Sequence, residues 1–205
     1  MSVVLLGFQA WLGAVVVYSV LAPIKITIHM VMALVIVALL LYLLQISQKE
    51  MPKFRTTPQF KMLLLLAVLL TMIQVIFGTQ VRQFVDKQVG IVGYDAPSKW
   101  LDNPNLYFYL HRSFSIVVVL LNVIIWYFNR KRSYGFTKLN WVLILLLIEA
   151  FTGIAMYYFD FPFLSQPLHL VIASVLFGIQ FYIVLEAFNT SKQVETSQIL
   201  SSEKG

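Results

Sequence analysis

Cysteine is absent from all 205 residues. Disulfides, Cys-ligated iron–sulfur clusters, covalently attached c-type haem and thiol catalysis are thereby excluded for this chain. Charge is scarce as well, with 12% of residues charged against about 25% in a soluble domain. Nine acids stand against fifteen lysines and arginines. No basic patch is interleaved with aromatics in a soluble segment, so this balance reads as membrane topology and no nucleic-acid partner is expected. Histidine occurs three times only, at His29, His111 and His169. The beginning, Met1-Ser2-Val3-Val4-Leu5, has neither a basic region nor a small-residue cleavage site, and reads as the start of a span rather than a signal peptide.

What the chain has instead is apolar length. With 60% hydrophobic residues and a mean hydropathy of +0.82, it reads as an all-α polytopic membrane bundle. Six transmembrane helices are expected, at 3–22, 27–46, 60–81, 108–128, 139–159 and 167–188. They must be helices, because backbone polar groups in lipid are satisfied only within the segment. Pro23 suits a tight turn or a first helical turn, and Pro162 and Pro167 mark the short fifth connection. The long loop, 83–107, is expected to be non-helical for much of its length because of Gly90, Gly93, Pro97 and Pro104.

Lysine and arginine set the expected orientation. Lys49, Lys53, Arg55, Lys61, Arg130, Lys131, Arg132, Lys138, Lys192 and Lys204 fall on one side; Lys25, Arg82, Lys87, Lys99 and Arg112 fall on the other. Ten against five puts the first set in the cytoplasm of a prokaryotic plasma (inner) membrane. The long loop and all three histidines then lie toward the outer face. The polar tail after Asn189 is expected to be cytoplasmic and disordered.

The chain repeats itself. Gln9 precedes Gly13 by four residues, as Gln74 precedes Gly78 and Glu149 precedes Gly153. Gly13 precedes His29 by sixteen residues, and Gly153 precedes His169 by the same sixteen. Each unit is an outward helix with Gln/Glu-x-x-x-Gly, followed by an inward helix opening with His. Three copies of one helical hairpin are present, the long loop being inserted in the middle copy. Residues 59–189 then make a complete four-helix unit and residues 1–58 half of a pseudo-symmetric second one, followed by a cytoplasmic tail at 190–205. The unpaired His29 predicts a missing upstream hairpin with a fourth histidine.

Imidazoles recurring at one depth suggest axial ligands to haem iron, because a buried polar group without a partner costs several kcal/mol, on the order of its transfer penalty. Bis-imidazole ligation within a four-helix bundle fits the pair His111 and His169. Hydrogen bonds to neighbouring carbonyls are the plain alternative. Zinc is a weaker rival, since neither cysteine nor convergent carboxylates accompany the histidines. Glu149, read as the carboxylate deep in a span, serves equally a helix-to-helix hydrogen bond or proton handling. Gly13, Gly78 and Gly153 permit close approach, either between helices or to a flat macrocycle. Arg82 and Arg112 are either anchors for haem propionates or snorkelling interfacial charges. The aromatics from Tyr107 to Tyr109 and from Tyr157 to Phe163 read as an interfacial belt.

The stretches Gln9-Ala10-Trp11-Leu12-Gly13, Pro23-Ile24-Lys25-Ile26-Thr27-Ile28-His29-Met30, Gly78-Thr79-Gln80-Val81-Arg82-Gln83, His111-Arg112-Ser113-Phe114 and Gln166-Pro167-Leu168-His169-Leu170 resemble the haem A synthase family. The resemblance runs over essentially all six helices. It implies an eight-helix membrane enzyme of two pseudo-symmetric halves, which oxidises a methyl substituent of haem O to a formyl and supplies haem A to terminal oxidases. It further implies haem b held by His111 and His169, His29 at the substrate haem, and haem O synthase and an electron donor as partners. The family's first two helices, its first outer loop with an acidic residue, and a fourth histidine have no counterpart here. The chain looks like a C-terminal portion of such an enzyme, expected to hold haem b but not to catalyse efficiently alone. A b-type cytochrome subunit and a haem-free transporter or assembly factor are the rival readings. Oligomeric state is open.

Overall fold

The computed structural model describes residues 2–18, 23–48, 54 and 56–202. Six α-helices account for nearly all of them: α1 (Ser2–Tyr18), α2 (Pro23–Ile46), α3 (Pro58–Val92), α4 (Leu106–Lys131), α5 (Lys138–Tyr158) and α6 (Ser165–Ser202). Five are long and apolar enough to cross a membrane, and Val3–Tyr18 on α1 is a shorter apolar helix. The expected end of the first span, residues 19–22, lies outside the described residues, as do Lys49, Lys53, Arg55 and Lys204. The protein is an all-helical, multi-pass membrane bundle.

Helix boundaries follow local chemistry. Thr57 caps α3 by accepting from the Phe60 N–H, with Pro58 in the first turn. Asn105 caps α4 by accepting from the Phe108 N–H. The α5–α6 connection turns sharply through left-handed backbone at Asp160, Phe161 and Leu164, a conformation that costs roughly 1 kcal/mol per non-glycine residue.

Two expectations are corrected. The loop was expected to be largely non-helical from residue 83, yet α3 continues to Val92. The segment has no proline before Pro97, Arg82 and Asp86 pair at i,i+4, and Gly90 is accommodated within the helix; only Gly93, at φ +87°, ends it. At about 1.5 Å per residue, α3 is a rod of roughly 50 Å, longer than the ~30 Å hydrocarbon layer. It therefore projects beyond the bilayer. Similarly, α6 runs on to Ser202 where a disordered tail was expected after Asn189. No proline or glycine interrupts 190–202, so nothing local stops the helix.

Packing closes α3, α4, α5 and α6 into a ring, each in contact with the next and α6 returning to α3. α2 lies against both α3 and α6, and α1 packs on α2 alone among the described elements. The buried core of the ring is not evenly spread. Phe60, Leu64 and Ala67 at the start of α3 meet Val118 and Ile125 of α4, Leu139, Val142 and Leu146 of α5, and Leu176, Ile183 and Ala187 of α6. Most lie in the half where α3 and α5 begin, with Val118 and Leu176 near the middle, and a smaller buried cluster of Leu34, Val75 and Phe177 sits nearer the other end. At the end where α3 and α5 begin, Lys138 reaches Glu186 at 2.7 Å, and Glu186 is only 2% exposed. Glu149 is thus not the only carboxylate inside a span; Glu186 is buried deeper. The other end, where α2, α4 and α6 begin, holds the histidines.

Candidate functional site

In each hairpin the first helix grips the histidine of the second. Gln9 Nε2 on α1 donates to the His29 carbonyl at 3.0 Å. Gln74 Nε2 on α3 donates to the His111 carbonyl, also at 3.0 Å. Position 149 on α5 carries a carboxyl group, which has no N–H to give to a carbonyl. Glu149 Oε2 instead lies 3.0 Å from His169 Nδ1. The Oε1 atoms of Gln9, Gln74 and Glu149 are all buried without a hydrogen-bond partner, so each repeat leaves the same acceptor unmet.

The glycines make room for the rings. A Cβ built on Gly13 would stand 3.2 Å from His29 Cε1, and one on Gly78 would stand 3.1 Å from His111 Cε1. At Gly153 the corresponding distance to His169 Cε1 is 3.8 Å, an ordinary contact. Of the two roles expected for these glycines, close helix approach or approach to a macrocycle, the contacts are of the first kind: each faces the imidazole on the second helix of its own hairpin.

Hydrogen bonding fixes which ring nitrogen is free. His111 Nδ1 lies 3.2 Å from the Gln74 carbonyl; a carbonyl only accepts, so Nδ1 carries the proton and Nε2 the lone pair. His169 Nδ1 meets Thr152 Oγ1 at 2.8 Å as well as Glu149, again leaving Nε2. The two rings are neighbours in an edge-on arrangement, with centroids 6.3 Å apart and planes at 76°. Two imidazoles on opposite sides of one metal ion place their centroids about 6 Å apart, given metal–nitrogen bonds of roughly 2 Å. His111 and His169 are thus spaced so that they would be able to hold one haem iron between them, the haem supplying redox chemistry there. Among the described residues no three His, Asp or Glu side chains group as a protein-only metal site.

His29 differs. Its Nε2 faces Gln9 Nε2 at 3.5 Å, and its Nδ1 is buried without a partner. It stands within the α1–α2 hairpin beside Gln9 and Gly13. The two arginines also part company. Arg82 donates from Nε to both oxygens of Asp86, at 2.9 and 3.0 Å, and its Nη1 hydrogen-bonds Gln166 on α6. The guanidinium of Arg112 is exposed and has no hydrogen-bond or ion-pair partner among the described residues.

Two features escaped the sequence. Thr152 joins the His169 ring, and its signal was present: it lies one turn after Glu149 and just before Gly153. Thr27 Oγ1 ties α2 to α3, meeting Thr79 Oγ1 at 2.8 Å and accepting from Gln80 Nε2 at 3.0 Å. Both partners come from the Gly78–Gln83 run, in which Thr79 and Gln80 precede Arg82.

No curated protein and no solved structure matches this chain. A model of cytochrome oxidase assembly proteins, the COX15-CtaA family, matches residues 1–181. That span takes in α1 to α5, the first part of α6 and all three histidines. The repeated Gln/Glu–His hairpins in a membrane bundle are thus those of the haem A synthase family, COX15-CtaA, and the chain belongs to it.

Proposed function

We propose that the protein is an oxidoreductase of haem A synthesis, in which a methyl substituent of haem O is oxidised to the formyl of haem A. The observation that carries this reading is the His111–His169 pair, with ring centroids 6.3 Å apart and Nε2 atoms free of hydrogen bonds among the described residues. In it, those two side chains hold haem b, which supplies one-electron redox chemistry when bound. Gln74 fixes the His111 backbone, while Glu149 and Thr152 fix the His169 ring. The apolar helices exclude water from the pair. His29 serves the substrate haem, beside Gln9 and Gly13 in the α1–α2 hairpin.

Arg112, free of protein partners, is the better placed of the two arginines to meet a haem propionate. Arg82 is engaged with Asp86 and Gln166. Lys61, Arg130, Lys131, Arg132 and Lys138 lie at the end opposite the histidines, which supports a cytoplasmic placement of that end in a prokaryotic plasma membrane. Haem O synthase, as source of substrate, and a membrane electron donor are the partners this chemistry requires.

One observation favours a second reading, a b-type cytochrome subunit: the α3–α6 ring closes around its histidine pair without α1 or α2. Co-expression with haem O synthase followed by pyridine haemochrome analysis separates the two. Haem A in the extract supports the synthase, whereas haem B alone supports the cytochrome. A purified protein without a Soret band, or with one unchanged by His111→Ala and His169→Ala, would overturn both.

A further inference from the structure

The third hairpin departs from the other two at two neighbouring positions. Where α1 and α3 carry Gln9 and Gln74, α5 carries Glu149; where they have Leu12 and Phe77 before the glycine, α5 has Thr152. The two changes converge on one atom, His169 Nδ1. Both amides clamp the backbone of their histidines, Gln9 also reaching the His29 ring at 3.5 Å; the carboxyl engages the ring.

We propose that Glu149, assisted by Thr152, is a positioning residue that holds His169 with its proton on Nδ1 and makes it the more electron-donating of the two axial ligands. The hydrogen-bond directions carry this. The Thr152 hydroxyl donates to the Glu149 carbonyl at 3.0 Å, so its oxygen, 2.8 Å from His169 Nδ1, can only accept. Nδ1 is therefore the donor, shared between Thr152 Oγ1 and Glu149 Oε2. The Glu149 and His169 side chains are 13% and 23% exposed, so water competes little for this bond. A carboxyl oxygen on the distal nitrogen of a ligating imidazole raises the basicity of the ligating one. His111 receives no such help, since its Nδ1 meets only the Gln74 backbone carbonyl. The two ligands are thus chemically unequal, and the stronger donor stabilises the more oxidised iron.

The inference rests on haem b being held by His111 and His169, and its test keeps the two apart. The readouts are the Soret band and haem content of the purified full chain, followed by a redox titration and low-temperature EPR of the bound haem. Wild type, His111→Ala and His169→Ala establish ligation first; a haem signal indifferent to both histidines would overturn the ligation reading and this one with it. Glu149→Gln keeps shape and hydrogen-bonding capacity, and restores the residue the other two hairpins use. The expected result is near-normal haem content with the midpoint potential shifted upward and an altered low-spin EPR signal. Thr152→Val, which removes one acceptor without changing size, is expected to shift the potential in the same direction by less. Bound haem with unchanged potential in Glu149→Gln would overturn the proposal. Should Glu149→Gln fail to retain haem, Thr152→Val decides: an unchanged potential there overturns it equally.

Discussion

The Cβ position of Gly78 lies 3.1 Å from His111 Cε1, tighter than most real Cβ contacts, so a methyl group on α3 would require the imidazole of α4 to give way by a few tenths of an ångström. Gly78→Ala is expected to push the ring off its position and reduce haem retention by roughly tenfold or more, on the scale of losses at groups supporting a metal ligand. Gly153→Ala, at 3.8 Å from His169 Cε1, is expected to retain haem nearly as wild type. Haem-to-protein ratios of the two purified variants check the contrast, and equal ratios would contradict it.

The histidines are expected to divide by function. His111→Ala and His169→Ala should each remove the low-spin haem b spectrum. His29→Ala should leave that spectrum in place while abolishing any haem A formed on co-expression with haem O synthase. Loss of the haem b spectrum in His29→Ala would show that the rings do not work as two separate sites.

Gln74 presents a case where the conservative change is the harmful one. Gln74→Glu removes the side-chain N–H that reinforces the His111 carbonyl, which also takes part in the helical bonding of α4, and sets a carboxyl oxygen beside it. The expected cost is about 0.5–1.5 kcal/mol, the worth of one lost hydrogen bond. Thermal unfolding in detergent should show Gln74→Glu falling below wild type, with a weaker Soret band in parallel. The reverse change at the equivalent position, Glu149→Gln, should be well tolerated in the same assay.

At the opposite end, Lys138→Ala should destabilise the protein by about 1–3 kcal/mol, because it withdraws a charged partner from a nearly inaccessible carboxyl group, Glu186. Arg82→Ala, in a pair that is half exposed on the arginine side, should cost less than about 1 kcal/mol. Chemical denaturation of the two variants side by side tests the ranking.

How much of this was legible beforehand depends on the kind of signal. The hairpin repeat was readable because Gln9, Gln74 and Glu149 recur at fixed spacing from glycine, and the structure places each beside its histidine. What the repeat could not reveal is that amide and carboxyl grip different parts of their histidines, since that follows from which group owns a proton to donate. The extent of α3 was misread because Gly90 and Gly93 look alike in a sequence, yet only Gly93 adopts positive φ. Glu186 was overlooked because it sits near the edge of its expected span, where a charge reads as solvated until Lys138 and the surrounding helices are seen to cover it. Arg82 was grouped with Arg112 by charge and depth alone; its engagement with Gln166 on α6 depends on tertiary contact across 84 residues.

The larger buried apolar cluster lies mainly in the half of the bundle where α3 and α5 begin, and a smaller one, of Leu34, Val75 and Phe177, lies nearer the histidines. On the proposed function, a bound macrocycle would add apolar contacts beside His111 and His169. Folding and ligand capture then draw on a single free energy, and a ligand that binds only the folded state raises its stability with concentration. The amount of intact protein in the membrane would therefore follow the cell's supply of haem, making the chain self-limiting when its own prosthetic group runs short.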